Sequence, residues 1–137
     1  MTSAIDATGV TRRFGSLRAV DDVTFSIQEG VICGLLGRNG AGKTTLMQLL
    51  TGQDFVTAGS IRVFGQSPVE NASVLQDVCF IKESQKYPED FKVKHVLKSA
   101  PWFFRNWDAG FANQLVEESR WPPNRQIRKL SRGQLSA

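Results

Sequence analysis

The chain has little of what builds metal centres or disulfide frameworks, with two cysteines and one histidine in 137 residues. Cys33, Cys79 and His95 show no ligand spacing, so neither a metal site nor a redox pair is expected. Each cysteine lies inside an apolar run, where a reduced thiol packs as a small hydrophobe. No apolar stretch approaches the ~20 residues that cross a bilayer. The start, Met1-Thr-Ser-Ala-Ile-Asp, has no basic patch leading into an apolar segment. The expectation is a cytoplasmic chain. Acids are missing from one end: Arg120 to Ala137 holds five basic residues and none acidic, leaving 12 basic against 13 acidic residues in the first 119. The formal charge of +4 is thus a property of that end. It gives no diffuse basic face for a nucleic-acid backbone, and no nucleic-acid partner is expected.

With 41% hydrophobic and 22% charged residues, disorder by composition is excluded, and the length suits one core. Ile5 to Phe14 and Leu17 to Ile27 read as strands joined at Gly15-Ser16, an antiparallel hairpin with Val20, Phe25 and Ile27 on one face if Val23 packs there too. Glu29-Gly30 is a turn. Val31 to Leu36 is apolar on both faces, the pattern of a strand buried in a parallel sheet. Lys43 to Leu50 places Leu46, Leu49 and Leu50 at helical spacing, with Gly52 as its stop. Ala58-Gly59-Ser60 leads into a short strand through Ile61, Val63 and Phe64, closed by Gly65, and Val78 to Ile81 is a second buried-strand candidate. Between Phe91 and Glu118 the spacing turns helical, with Val93, Val96 and Leu97, then Phe111, Leu115 and Val116, separated by Pro101 and Asp108. The aromatic cluster Trp102, Phe103, Phe104 and Trp107 suits either a docking surface or this subdomain's own core.

The segment Gly34 to Thr45, GLLGRNGAGKTT, sets four glycines before a lysine and two threonines. From Gly37, through Arg38, Asn39, Gly40, Ala41 and Gly42 to Lys43 and Thr44, it fits the phosphate-binding pattern G-x-x-x-x-G-K-[ST], between an apolar run and a helix. Glycines let successive amide N–H groups converge on an anion without Cβ clashes, and the helix N-terminus adds partial positive charge. Lys43 would reach the β and γ phosphates, the Thr44 hydroxyl would ligate Mg²⁺, and Thr45 belongs to the same anion-binding turn. The pattern alone specifies a nucleotide.

Leu130-Ser131-Arg132-Gly133-Gln134 resembles the LSGGQ signature of ABC-type ATPases, with arginine at the tolerant middle position. Together with the phosphate loop and the helical segment between them, it extends the resemblance to ABC transporter ATP-binding subunits over essentially the whole chain. The resemblance implies an α/β fold: a P-loop NTPase core with an N-terminal antiparallel β subdomain over about 1–82, a helical subdomain over 83–130 and the signature at 130–134. Phe14 matches the aromatic residue that stacks on adenine in this family, and Val20 would pack beside the base or serve as an ordinary strand residue. The family places a glutamine after the strand matching Val78 to Ile81, at Mg²⁺ and the attacking water. Counting from that strand gives Glu83, with Gln85 two residues late. Glu83 is favoured, as either an oxygen ligand or a proton acceptor.

The signature would contact ATP held by a second ATP-binding subunit. The family's later elements, an apolar strand ending in the Mg²⁺-binding aspartate and the water-activating glutamate and then a γ-phosphate-sensing histidine, have no counterpart in these residues, which stop short of completing the core. The expected function is therefore ATP binding, and hydrolysis in a complete subunit, powering membrane transport with permease subunits at the inner face of the membrane. Alternatives are an ABC ATPase of DNA repair or the ribosome, or a nucleotide-binding module without turnover. The 137-residue chain on its own is expected to show negligible ATPase activity; sustained Mg²⁺-dependent phosphate release from a rigorously purified sample would overturn this.

Overall fold

A computed structural model of the chain describes residues 2–82 and 86–130. The chain divides into two compact units, Met1–Cys79 and Phe80–Ala137.

The first unit opens with the expected hairpin, β1 (Ser3–Phe14) and β2 (Leu17–Gln28), turning at Gly15-Ser16. β3 (Ala58–Val63) pairs with the other edge of β1, giving an antiparallel sheet of order β2-β1-β3. Apolar residues on the two long strands are not in strict alternation, and the register shows how they still share a face. Val10 pairs with Val23 and Arg12 with Val20, so β2 carries one extra residue there. The surplus is accommodated at Asp22, which has φ 50° and whose N–H donates to the Oγ1 of the buried Thr11 at 3.0 Å. This β-bulge lets Val20 and Val23, three positions apart, both turn inward. β1 compensates between Ala7 and Val10, where the Gly9 N–H donates to Thr24 Oγ1 at 2.8 Å.

Between β2 and β3 lies α1 (Lys43–Leu50), with the bounds read from the sequence. Its buried Leu46 and Leu49 pack with Ala7, Val10, Val20, Ile61, Val63 and Val74 of the short α2 (Ala72–Leu75), and Leu50 is partly buried at the rim. Burying one leucine side chain contributes about 1.5–3 kcal/mol, so two of them suffice to anchor this eight-residue helix, which would be marginal alone. The stop is a Schellman motif: Gly52 N–H donates to the Leu49 carbonyl at 3.2 Å and Gln53 N–H to the Gln48 carbonyl at 2.9 Å.

Two strand expectations fail. Val31 to Leu36 is not in a β-ladder, and Val31, Ile32, Leu35 and Leu36 are exposed. Val78 to Ile81 is also outside any strand, with Ile81 exposed and Val78 partly buried on the core. The reason is physical: a buried parallel strand exists only when neighbours supply its hydrogen bonds and cover both faces. Among the described residues no strand lies beside either segment. Cys33 and Cys79, expected to be packed, are free and exposed for the same reason. β3 ends at Val63 rather than Phe64, whose φ of 48° turns the chain.

The second unit contains α3 (Val93–Phe103) and α4 (Ala109–Glu118), followed by a 3-10 turn at Ile127–Lys129. Val93, Val116, Ile127 and Leu130 form its buried cluster, flanked by Phe91, Val96, Leu97 and Trp121. Asp108 separates the two helices and also caps α4, accepting from Phe111 N–H at 2.9 Å. Pro101 does not separate the helices: α3 runs past it to Phe103. Proline this near the C-terminus removes only its own N–H, and Phe104 N–H still reaches the Ala100 carbonyl at 3.0 Å. Trp102 and Phe103 are exposed, outside the buried cluster. His95 is structural, its Nδ1 accepting from Lys92 N–H at 3.2 Å.

Gly52 holds φ 66°, and a Cβ there would collide with the Pro68 carbonyl oxygen. Gly52→Ala is therefore expected to lower the unfolding free energy by about 1–3 kcal/mol, measured as a shift in the denaturant midpoint at constant slope.

Candidate phosphate-binding site

The site grows from three pieces of the first unit: the end of β1, the start of β2, and the loop that enters α1. Phe14 pairs with Leu17 across the two-residue turn, which puts the Phe14 ring at the tip of the hairpin. The loop approaches the same tip because Gly42, the residue before α1, packs on β2. Gly42 has φ 83°, and a Cβ there would collide with the carbonyl oxygen of Ala19 and stand 3.7 Å from Val20 Cγ2. Only glycine accepts both the left-handed conformation and that approach. Together these elements enclose a cleft of about 390 Å³ lined by Phe14, Leu17, Arg18, Ala19 and residues 39–45.

Inside the loop, Ala41 N–H donates to the Arg38 carbonyl at 3.1 Å, which closes a tight turn. Lys43 Nζ donates to the carbonyls of Gly37 and Arg38, the latter at 2.8 Å. An ammonium has three donors, so one N–H is left for an acceptor in the cleft. Gly37 and Arg38 thus hold the lysine through their carbonyls and do not line the cleft themselves. The first turn of α1 has no side-chain cap and no acidic residue. Its leading N–H groups are therefore unpaired within the helix, and the positive end of the helix meets no competing carboxylate. Thr44 is exposed at the cleft and its hydroxyl makes no hydrogen bond among the described residues. Backbone donors, one tethered cation and a free hydroxyl form a donor set suited to a polyphosphate.

Most of the sequence-derived site is brought together here: Phe14, Asn39, Gly40, Ala41, Gly42, Lys43, Thr44 and Thr45 share the cleft. Val20 does not. It is buried in the core beneath Gly42, so its contribution is to support the loop. Leu130 is likewise buried, in the core of the second unit. Ser131, Arg132, Gly133 and Gln134 lie outside the described residues, as do Glu83 and Gln85. No cluster of three or more His, Cys, Asp or Glu suited to a metal ion occurs among the described residues. Sequence reasoning missed Leu17, Arg18 and Ala19. The signal was available, because a two-residue turn after Phe14 fixes Leu17 opposite it and carries the next residues along the same rim. Arg18 is oriented by Asp21, its Nη1 3.0 Å from each carboxylate oxygen.

Among the described residues no helix is long and apolar enough to cross a membrane. Comparison with known proteins shows the family. The family model described as "ABC transporter" matches residues 20–137. The chain is 28% identical over 116 residues to the ABC transporter ATP-binding protein YtrB of Bacillus subtilis, covering 85% of this chain and 40% of YtrB. It is 45% identical over 97 residues to the Nod factor export ATP-binding protein I of Mesorhizobium japonicum, covering 70% of this chain and 28% of that protein. The chain thus spans less than half the length of these curated relatives. Among solved structures, an ATP-binding subunit of an ABC transporter superposes with a TM-score of 0.84 at 20% identity, over 96% of this chain and 57% of that one. That likeness shows the fold, that of an ATP-binding cassette. With a family match over most of its length, the chain belongs to the ABC transporter family, in its ATP-binding component.

Proposed function

We infer that this chain binds ATP with Mg²⁺ in the cleft between the hairpin tip and the start of α1. In a complete subunit that binding powers transport of a substrate across a membrane. One observation carries the reading: a single cleft holds an aromatic ring at one end and a tethered ammonium with helix N–H groups at the other. A base with a polyphosphate is the ligand that uses both. Phe14 offers a ring face to adenine, residues 40–45 offer amides to the phosphates, and Thr44 offers a hydroxyl to Mg²⁺. Mg²⁺ would neutralise phosphate charge; the metal-facing role of Glu83, or of Gln85, is carried over from the family pattern.

Hydrolysis in this scheme is mostly positioning and charge stabilisation. Lys43 draws charge from the terminal phosphates, and Glu83 would orient or deprotonate water. The Ser131 to Gln134 segment would complete the site of a second ATP-binding subunit in a face-to-face pair. The second unit's exposed Trp102 and Phe103 suit contact with permease subunits at the inner face of the membrane. Both relatives described above are named as transporter components, which favours transport over the ABC ATPases of DNA repair or the ribosome.

Lys43→Ala removes a charge-assisted phosphate contact, so ATP affinity is expected to fall by about 1.5–3 kcal/mol, roughly 10- to 150-fold in Kd. Titration of the purified variant beside the parent chain measures this. An unchanged Kd would count against the phosphate-loop assignment.

A further inference from the structure

Arg12, Asp54 and Phe14 form an arrangement that phosphate binding does not use. Arg12 Nε donates to Asp54 Oδ2 at 2.9 Å, and Nη2 lies 2.7 Å from Oδ1, so the guanidinium fork meets the carboxylate with two parallel contacts. The side chains are 23% and 17% exposed, which leaves the pair less screened by water and salt than a surface bridge. The same guanidinium lies over the Phe14 ring, 4.4 Å from its centroid. That is a cation–π contact. Phe14 lines the cleft and Arg12 does not, so the cation covers the ring from outside the cleft.

We propose that Arg12, clamped by Asp54, is a positioning residue that fixes the Phe14 ring as a one-faced platform for the base of the bound nucleotide. The proposal rests on the ATP reading of the cleft. Phe14 sits at the end of β1 beside the turn and is 47% exposed, so little else restrains its rotamers. An unrestrained ring must lose that freedom each time a base stacks on it, whereas a ring already held has less to lose. With one face taken by the guanidinium, the other is left to the base, giving an ordered stack of cation, phenyl ring and base. The clamp also sets distance. Asp54 follows the Schellman stop of α1, and α1 begins at the phosphate loop. Both ends of the nucleotide are thereby referenced to one helix.

The test compares ATP with inorganic tripolyphosphate, which has the phosphates and no base, on the full 137-residue chain and its variants. Arg12→Met, which keeps the aliphatic stem and loses the fork and charge, is expected to weaken ATP binding about three- to ten-fold while leaving tripolyphosphate within about two-fold. Asp54→Asn, which leaves Arg12 in place but removes the charged half of its clamp, is expected to move ATP in the same direction with tripolyphosphate unchanged. It decides the matter if Arg12→Met lowers the melting temperature enough to prevent titration. In a Phe14→Ala background, Arg12→Met should have no further effect on ATP. Equal weakening of both ligands, an unchanged ATP affinity, or an undiminished Arg12 effect without Phe14 would each overturn the positioning role while leaving the nucleotide site intact. Failure of the parent chain to bind either ligand would overturn the ATP reading, and the proposal with it.

Discussion

Contact between Gly42 and the Ala19 carbonyl oxygen is the constraint on which the site depends. It brings the start of α1 onto the backbone of β2, and no side chain can intervene there. Leu46 and Leu49, one and two turns on, then enter the core beside Val10 and Val20. The helix N-terminus is thus held by backbone contact at one end and by apolar burial along its length. That rigidity suits the phosphate-binding role proposed for the loop, because donors aimed at an anion act only if they stay converged.

The hairpin supplies the other wall, and its irregularities have a use. Two compensating bulges, at Asp22 on β2 and beside Gly9 on β1, turn Val10, Val20 and Val23 inward together. Without them a period-two strand would place Val20 and Val23 on opposite faces. Val20 would then not lie beneath Gly42. The bulge at Asp22 is held by its N–H bond to Thr11, the buried polar residue of this core. Packing of the sheet and shape of the cleft are therefore one arrangement.

The second unit has its own cluster, and Leu130, where the pentapeptide begins, belongs to it. Ile127 N–H donates to the Phe91 carbonyl at 2.9 Å, and α3 begins with Val93 and Lys94 N–H groups donating to the carbonyls of Arg125 and Pro123. These bonds tie the segment before the pentapeptide to the start of α3. Leucine at its first position is thus a packing requirement, while the residues after it remain the polar part of the motif.

Local chemistry was written legibly in the sequence. The hairpin, the bounds of α1 and its glycine stop all follow from interactions spanning a few residues, which the order of residues alone specifies. The family, too, was readable from two short motifs. Tertiary structure decided what depends on distant partners. It left Val31 to Leu36 outside a ladder, since apolar character makes a strand only where neighbours bond to it. It buried Val20 and Leu130, whose roles turn on which face meets a core. It also joined Arg12 to Asp54 across 42 positions, a pairing no local pattern encodes, because charge complementarity between distant residues becomes a contact only once the sheet and helix have set their separation.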